Sequence, residues 1–205
     1  MEIASLNLAA NAVPSTPLQL PGVETVGFGR RVAARLIDMI IHFGVGLFSG
    51  VFAALLVGIY AAVSGTSPDA ALATMQETGA AAFLLSLFGS LLYESICEGL
   101  HGSTAGKYLL GMVVLREDGR PCTYVQAIGR AFAFFIDGLF FGLVAYSSMK
   151  DSPRDQRYGD KWCGTIVVTR ASAPAGTLRS PLRFFGVLML ALFLDGVALL
   201  ASMFV

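Results

Sequence analysis

The chain has 205 residues, of which 55% are hydrophobic and only 14% are charged, whereas a soluble domain usually carries about a quarter charged residues. Its mean hydropathy is +0.69 and its formal net charge is zero, so the composition predicts an integral membrane protein and argues against a nucleic-acid partner. The three cysteines show no CxxC spacing, which predicts neither a disulfide framework nor a metal site, and no cofactor is expected.

The first 27 residues contain three prolines and no Lys or Arg. They therefore lack the basic region that opens a secretory signal peptide. We predict that residues 1–27 form a flexible leader.

Three apolar stretches are long enough to cross a bilayer, which takes about 20 residues in a helix. They lie at residues 36–63, 79–98 and 184–205. We predict an all-α membrane protein with three to four transmembrane or re-entrant helices. Its parts after the leader are a membrane domain (28–170), a linker (171–182) and an additional C-terminal transmembrane helix (183–205).

The basic residues predict the orientation, because cytoplasmic loops are enriched in Lys and Arg. Arg30, Arg31 and Arg35 precede the first apolar stretch, and residues 64–78 contain no Lys or Arg. We therefore expect a multi-pass protein of the cell membrane, an inner membrane, with a cytoplasmic N-terminus.

A fourth apolar stretch, residues 131–149, is interrupted by Asp137-Gly138 and conflicts with this rule. If it crosses the bilayer, the seven Lys and Arg residues of 150–183 lie outside. We favour a re-entrant or interfacial hairpin broken near Asp137-Gly138, with Asp137 capping its second half. A simple span stays open, since the charge rule weakens in later segments.

The polar segments include two runs typical of strands. Met112–Arg116 is followed by a turn and a weaker strand at 120–123, and 164–169 is a second β-rich run. We predict that these runs form a small cytoplasmic β-hairpin element. The turn before them is expected to return the chain to the membrane, with Lys107 at the lipid headgroups.

The first apolar stretch begins with several charged side chains. Arg31 and Asp38 are seven residues apart, about 10 Å along a helix axis, so each needs another partner. Arg35 lies three residues before Asp38 and could reach it, and His42 shares the face of Asp38.

Two carboxylates of the second stretch, Glu94 and Glu98, are one helical turn apart. Such a pair repels, and it would either share a proton or hold a cation. For Glu98 we favour a solvated position at the membrane interface. Ionisable residues within a membrane mark ion or proton paths, so the candidate path comprises Asp38, His42, Glu94 and Glu98. Asp195, in the last stretch, is predicted to face a partner helix.

Small residues recur every four positions on the first stretch, at Gly46, Gly50, Ala54 and Gly58. This spacing allows helices to pack closely. We favour packing within the monomer, and a homo-oligomer or a partner membrane protein stays open.

Three groups of motifs follow one another along the chain. They are Phe28-Gly-Arg-Arg31 with Leu-Ile-Asp38, Gly102-Ser-Thr-Ala-Gly-Lys107 with Gly111-Met-Val-Val, and Arg157-Tyr-Gly-Asp160 with Gly164-Thr-Ile-Val-Val168. Together they resemble the RDD family of membrane proteins over about residues 26–170, with the final helix beyond the family pattern. The resemblance implies that the family's arginine and two aspartates are Arg31, Asp38 and Asp160, and it suggests a transport role without a settled substrate.

A charge-assisted hydrogen bond between Asp160 and Arg31 would dock the sheet against the first helix. This contact would either stabilise the fold or gate the ion or proton path. Two functions remain: transport of a cation, proton or small solute, and a non-transporting subunit or scaffold that docks partner membrane proteins. No residue pattern indicates an enzyme.

Overall fold

The computed structural model describes residues 22–73 and 80–203. Most of the predicted leader, residues 1–21, lies outside the described part. The helices are α1 (Phe28–Ser64), α2 (Pro68–Ala73), α3 (Ala80–Leu100), α4 (Ala105–Leu109), α5 (Tyr124–Asp137), α6 (Leu139–Lys150), α7 (Tyr158–Cys163) and α8 (Pro181–Ser202), and the strands are β1 (Met112–Arg116) and β2 (Thr165–Thr169).

Three of these helices, α1, α3 and α8, are long and apolar enough to cross a membrane. With 37 residues, α1 is about 55 Å long and extends beyond a hydrocarbon core of about 30 Å. It ends at Gly65, whose φ of 67° closes the helix in the left-handed conformation that glycine adopts without strain. The three predicted long helices are confirmed.

The helix α3 packs against both α8 and α5, and α1 packs against α8 and α4. Tyr93, Ile96 and Cys97 of α3 form a buried cluster with Val187 and Ala191 of α8. At the end of α3, Arg179 donates to the carbonyl oxygens of Gly99 and Leu100. A cation at this position stabilises the helix C-terminus, so the linker also fixes α8 against α3.

The stretch predicted to break near Asp137-Gly138 is two helices, α5 and α6, bent by 111°. The bend continues through Phe140, Phe141 and Gly142, all of which have positive φ. Gln126, in the first turn of α5, donates to the carbonyl of Cys163 at 2.8 Å. We call the α5–α6 pair the bent hairpin.

The strands β1 and β2 pair antiparallel, with Met112 opposite Thr169 and Arg116 opposite Thr165. The predicted pairing of these two runs is confirmed, although α5, α6 and α7 separate them in sequence. The weaker strand contributes one bridge, between Leu115 and Pro121.

Residues at the end of the predicted leader lie along the other edge of β2. Val26 is buried, and its N–H donates to the carbonyl of Val167 at 3.0 Å. Thr25 forms a bridge with Val168. The chain is therefore in contact with the sheet before α1 begins, which the predicted boundary at residue 27 did not anticipate.

Candidate functional site

Arg31 and Asp160 are in direct contact, as the sequence predicted. Nη1 of Arg31 donates to Oδ2 of Asp160 at 2.5 Å, and both side chains are buried. Arg31 also donates to the carbonyls of Val26 and Asp155. The start of α1 is thereby joined to α7, to the residues that precede α1 and to the segment between α6 and α7.

This contact is one end of a longer series of alternating charges, which we call the ion-pair chain. Asp160 also accepts from Arg130, and Nε of Arg130 donates to Glu98 at 2.9 Å. Glu98 accepts from Lys107, whose Nζ lies 3.9 Å from Glu94. Its members, in spatial order, are Arg31, Asp160, Arg130, Glu98, Lys107, Glu94 and Arg35.

The sequence analysis was wrong about two members of the ion-pair chain. Glu98 is 1% exposed rather than solvated at an interface, because Arg130 and Lys107 neutralise it. Arg35 pairs with Glu94 at 3.2 Å and not with Asp38. Lys107 is buried beside Glu98, and its position at the headgroups stays a prediction. The charges of Arg35, Lys107 and Arg130 offset the repulsion between the two glutamates.

Asp160 is fully buried at the start of α7. Burial opposes its ionisation, but the charges of Arg130 and Arg31 outweigh that effect and hold the pKa of Asp160 well below its usual range. The carboxylate is thus ionised at neutral pH.

Asp38 accepts three hydrogen bonds and makes no contact with Arg31. The donors are the hydroxyls of Tyr93 and Thr104, at 3.0 and 2.7 Å, and the N–H of Gly106 at 2.8 Å. A Cβ on Gly106 would lie 2.0 Å from the carbonyl oxygen of Ala34. Only glycine permits this approach of α4 to α1. The hydrogen bonds of Asp38 hold the short helix α4 against the face of α1.

His42 and Asp195 form a separate pair between α1 and α8. Nδ1 of His42 lies 2.7 Å from Oδ2 of Asp195, and the imidazole ring packs edge-on against Tyr93. The prediction that Asp195 faces a partner helix is confirmed. Nε2 of His42 is buried and has no hydrogen-bond partner among the described residues.

Asp137 caps a helix, but not the one predicted. Its carboxylate accepts from the N–H groups of Tyr158 and Gly159 in the first turn of α7, whereas the start of α6 has no side-chain cap. The backbone turns sharply after Gly138, so the carboxylate of Asp137 lies over α7 instead. Arg157 lies 3.8 Å from both Asp137 and Asp160.

Two cavities of about 420 Å³ each lie beside these groups. Cavity 1 is between α1 and the bent hairpin, and its charged lining residues are Arg31, Arg35, Asp38, Glu94, Lys107, Asp137 and Arg157. Cavity 2 is lined by residues of α1, α3, α5 and α8, including Arg35, His42, Ser86, Ser90 and Asp195. Arg35, Met39 and Phe134 line both cavities, with the guanidinium of Arg35 4.0 Å from the centre of the Phe134 ring.

The small residues of α1 divide into two sets. A Cβ on Gly46 would contact Leu199 of α8, and one on Gly50 would contact Met203, which follows α8. Ala54 and Gly58, in contrast, are exposed. The first two therefore belong to a contact within the chain, and the other two have room for another molecule.

These side chains can be compared with a known protein family. The sequence profile of the RDD family matches residues 25–205. The chain belongs to the RDD family. The match reaches the end of the chain, so the expectation that the final helix lies beyond the family pattern was wrong. No curated protein and no solved structure matches the chain.

In this RDD protein, the three residues that the resemblance assigns to the family motif occupy two sites. Arg31 and Asp160 pair with each other, whereas Asp38 binds α4. Sequence analysis did not single out Arg130, which joins Glu98 to Asp160. The available signal was an arginine among Ala127, Ala131 and Ala133, all of which are buried, because an arginine within an apolar helix needs a partner.

No group of three or more His, Cys, Asp or Glu side chains is placed to hold a metal ion within residues 22–73 and 80–203. His101 is also buried, against the rings of Tyr108 and Phe184. Burial and then the charge of Arg170 lower the pKa of His101 to about 4. It is therefore neutral at physiological pH.

Proposed function

We propose that this RDD protein moves a proton or a small cation across the bilayer. The observation that carries the proposal is the pair of cavities that meet at Arg35. Both contain ionisable side chains, and both lie between helices that are long enough to span the membrane or form the bent hairpin. Ionisable groups in such positions are typical of ion and proton paths.

The proposal includes a membrane topology. We infer that the chain returns to the same side of the membrane after the bent hairpin, which is then re-entrant, because β1 pairs with β2. Three crossings follow, by α1, α3 and α8. The sheet and Val26 then share one side, which we propose is cytoplasmic because of the basic residues around it, and the end of α8 lies on the other.

The residues of the proposed path differ from those that sequence analysis favoured. His42 and Asp195 are the groups of cavity 2 able to exchange a proton, since Nε2 of His42 has no partner in the described residues. The pair of Arg35 and Glu94 lies where the cavities meet. Asp38 accepts three hydrogen bonds, and Glu98 is enclosed by two cations. We therefore assign both residues to holding the helices in position rather than to the path.

Reconstitution into liposomes that contain a pH-sensitive dye tests the proposal. An imposed Na⁺ or K⁺ gradient should drive a change of internal pH. His42→Gln and Glu94→Gln should each reduce its initial rate at least about tenfold, the effect typical of removing a positioned proton-transfer group. Asp118→Asn, in an ion pair outside the membrane segments, should retain the rate. The proposal fails if the two path variants, folded and reconstituted, move protons as fast as the wild type.

A scaffold that docks membrane partners is the alternative, and the exposed pair of Ala54 and Gly58 favours it. It predicts no flux and a stable complex, either a homo-oligomer or one with another membrane protein. Gly58→Leu should then dissociate the complex, and Gly44→Leu, on another exposed part of α1, should not. That the protein is not an enzyme stays a prediction.

A further inference from the structure

Cavity 1 opens sideways, towards the region that the hydrocarbon of the bilayer would occupy. Leu36 and Met39 of α1 and Phe141 of the bent hairpin line it, and all three are exposed. Its other lining residues include Arg31 and Arg157, next to the sheet. From Arg31 to Met39 the cavity extends about 12 Å along α1. Its charged end therefore lies on the side of the headgroups, and its apolar end lies deeper.

The carboxylates of cavity 1 are already occupied by donors. Asp38 accepts three hydrogen bonds and Asp137 accepts two. Glu94 pairs with Arg35. A cationic headgroup would therefore find its potential partners already engaged.

Hydrogen-bond donors, in contrast, are left over. A guanidinium has five N–H donors, and the Arg35 guanidinium makes one close ion pair, through Nη1 to Glu94. Nε of Arg157 is buried and has no hydrogen-bond partner in the part of the chain that the structure describes. Asp137 and Asp160 lie 3.8 Å from this Nε, beyond hydrogen-bond distance. The cavity thus offers donors at its polar end that lack a hydrogen-bond acceptor.

We propose that cavity 1 binds a membrane lipid with an anionic headgroup. The phosphate oxygens would accept from Arg35 and Arg157, and the upper part of an acyl chain would lie between Leu36, Met39 and Phe141. The volume of about 420 Å³ falls within the range of ligand pockets, and it accommodates a headgroup with the first part of one chain. This proposal concerns binding alone and stands whether or not the protein moves protons.

The test measures thermal unfolding of the full chain in a neutral detergent. Cys97 and Cys122 are buried, so a thiol-reactive dye reports their exposure on unfolding. The probes are dioctanoyl phosphatidylglycerol, dioctanoyl phosphatidylcholine and inorganic phosphate. We expect phosphatidylglycerol to raise the midpoint at concentrations where the other two have no effect, since a ligand that binds the folded state stabilises it.

Two variants test the location. Arg35→Gln removes a donor, and its apparent affinity for phosphatidylglycerol should fall by about tenfold or more, as expected for a lost charge-assisted hydrogen bond. Leu36→Trp narrows the mouth at an exposed position without changing charge, and it should have the same effect. Arg30→Gln, a neighbouring arginine that donates to Leu110 outside cavity 1, should bind as the wild type does.

Three results would overturn the proposal. An equal effect of phosphatidylcholine would show that the headgroup charge is not recognised. An equal effect of inorganic phosphate would indicate an anion site that needs no lipid. Unchanged affinity in Leu36→Trp, a variant expected to fold normally, would place the lipid elsewhere.

Discussion

At the scale of single residues, Asp160 is the most deeply buried member of the ion-pair chain. It contacts both Arg31 and Arg130, and its side chain is fully buried. Removing one partner from a buried ion pair is costly because the remaining charge keeps its desolvation penalty. Here Arg31 would lose its carboxylate partner and Arg130 would keep only Glu98, whereas replacement of the whole group by apolar residues would carry no such penalty.

We predict that Asp160→Asn destabilises the protein by about 3–5 kcal/mol at neutral pH, the loss typical of a broken buried pair. The folded-state pKa of Asp160 is lowered, so its stabilising contribution is complete above the unfolded-state pKa of about 3.9 and is lost as the pH falls towards the folded-state value. The difference between the unfolding midpoints of variant and wild type should therefore begin to shrink as the pH falls below about 4.

Asp118→Asn is the matched control, because Asp118 also joins two arginines but is partly exposed. Exposed pairs contribute little to stability. Equal midpoints for Asp160→Asn and Asp118→Asn at pH 7 would show that the ion-pair chain does not stabilise the fold.

At the scale of elements, the short helix α4 is buried in the protein interior although it contains a lysine. It has five residues, too few for a stable helix alone. Thr104 caps it, and Asp38 accepts from Gly106 within its first turn. Its close contact with α1 brings Lys107 to Glu98 and thereby completes the ion-pair chain.

We predict that Gly106→Ala disrupts this contact. The new Cβ would be 2.0 Å from the carbonyl oxygen of Ala34, a backbone atom that cannot move aside without shifting α1. The unfolding midpoint in detergent should fall markedly, and the yield of folded protein should fall with it.

Gly44→Ala provides the comparison on α1, since a Cβ at Gly44 has nothing within 4 Å. It should leave the midpoint unchanged or raise it slightly, because alanine favours a helix more than glycine does. If Gly106→Ala is equally harmless, α4 does not pack against α1 as described.

At the scale of the whole molecule, the pairing of β1 with β2 supports the proposed topology of three crossings. The bent hairpin lies between these strands in sequence, so their pairing favours a position of both of its ends on one side. The distribution of charged residues in the sequence did not decide whether residues 131–149 cross the membrane.

We predict that residues before and after the bent hairpin are accessible from the same side of the membrane. In a Cys163→Ala background, single cysteines at Arg120 and Ala171 should react with a membrane-impermeant maleimide in vesicles of one orientation only. A cysteine at Thr66, in the exposed segment after α1, should react in vesicles of the opposite orientation. Labelling of positions 120 and 171 from opposite sides would contradict the three-crossing topology.

Some of this protein follows from its sequence alone. The apolar stretches predicted α1, α3 and α8, because a helix must cover about 20 residues of hydrocarbon with apolar side chains. The β-rich runs predicted β1 and β2, and the opposite charges of Arg31 and Asp160, which the family resemblance singled out, predicted their contact. These features depend on local composition or on the cost of an unpaired buried charge.

Tertiary structure decided which charges are partners. From the sequence, Arg35 could reach Asp38, and a solvated position was favoured for Glu98. Helical spacing identifies only neighbours on the same helix. Glu98 pairs with Lys107 of α4 and with Arg130 of α5. His42 pairs with Asp195 of α8. Contacts between elements distant in sequence depend on how the helices pack, and the periodicity of one helix carries no information about the charges on another.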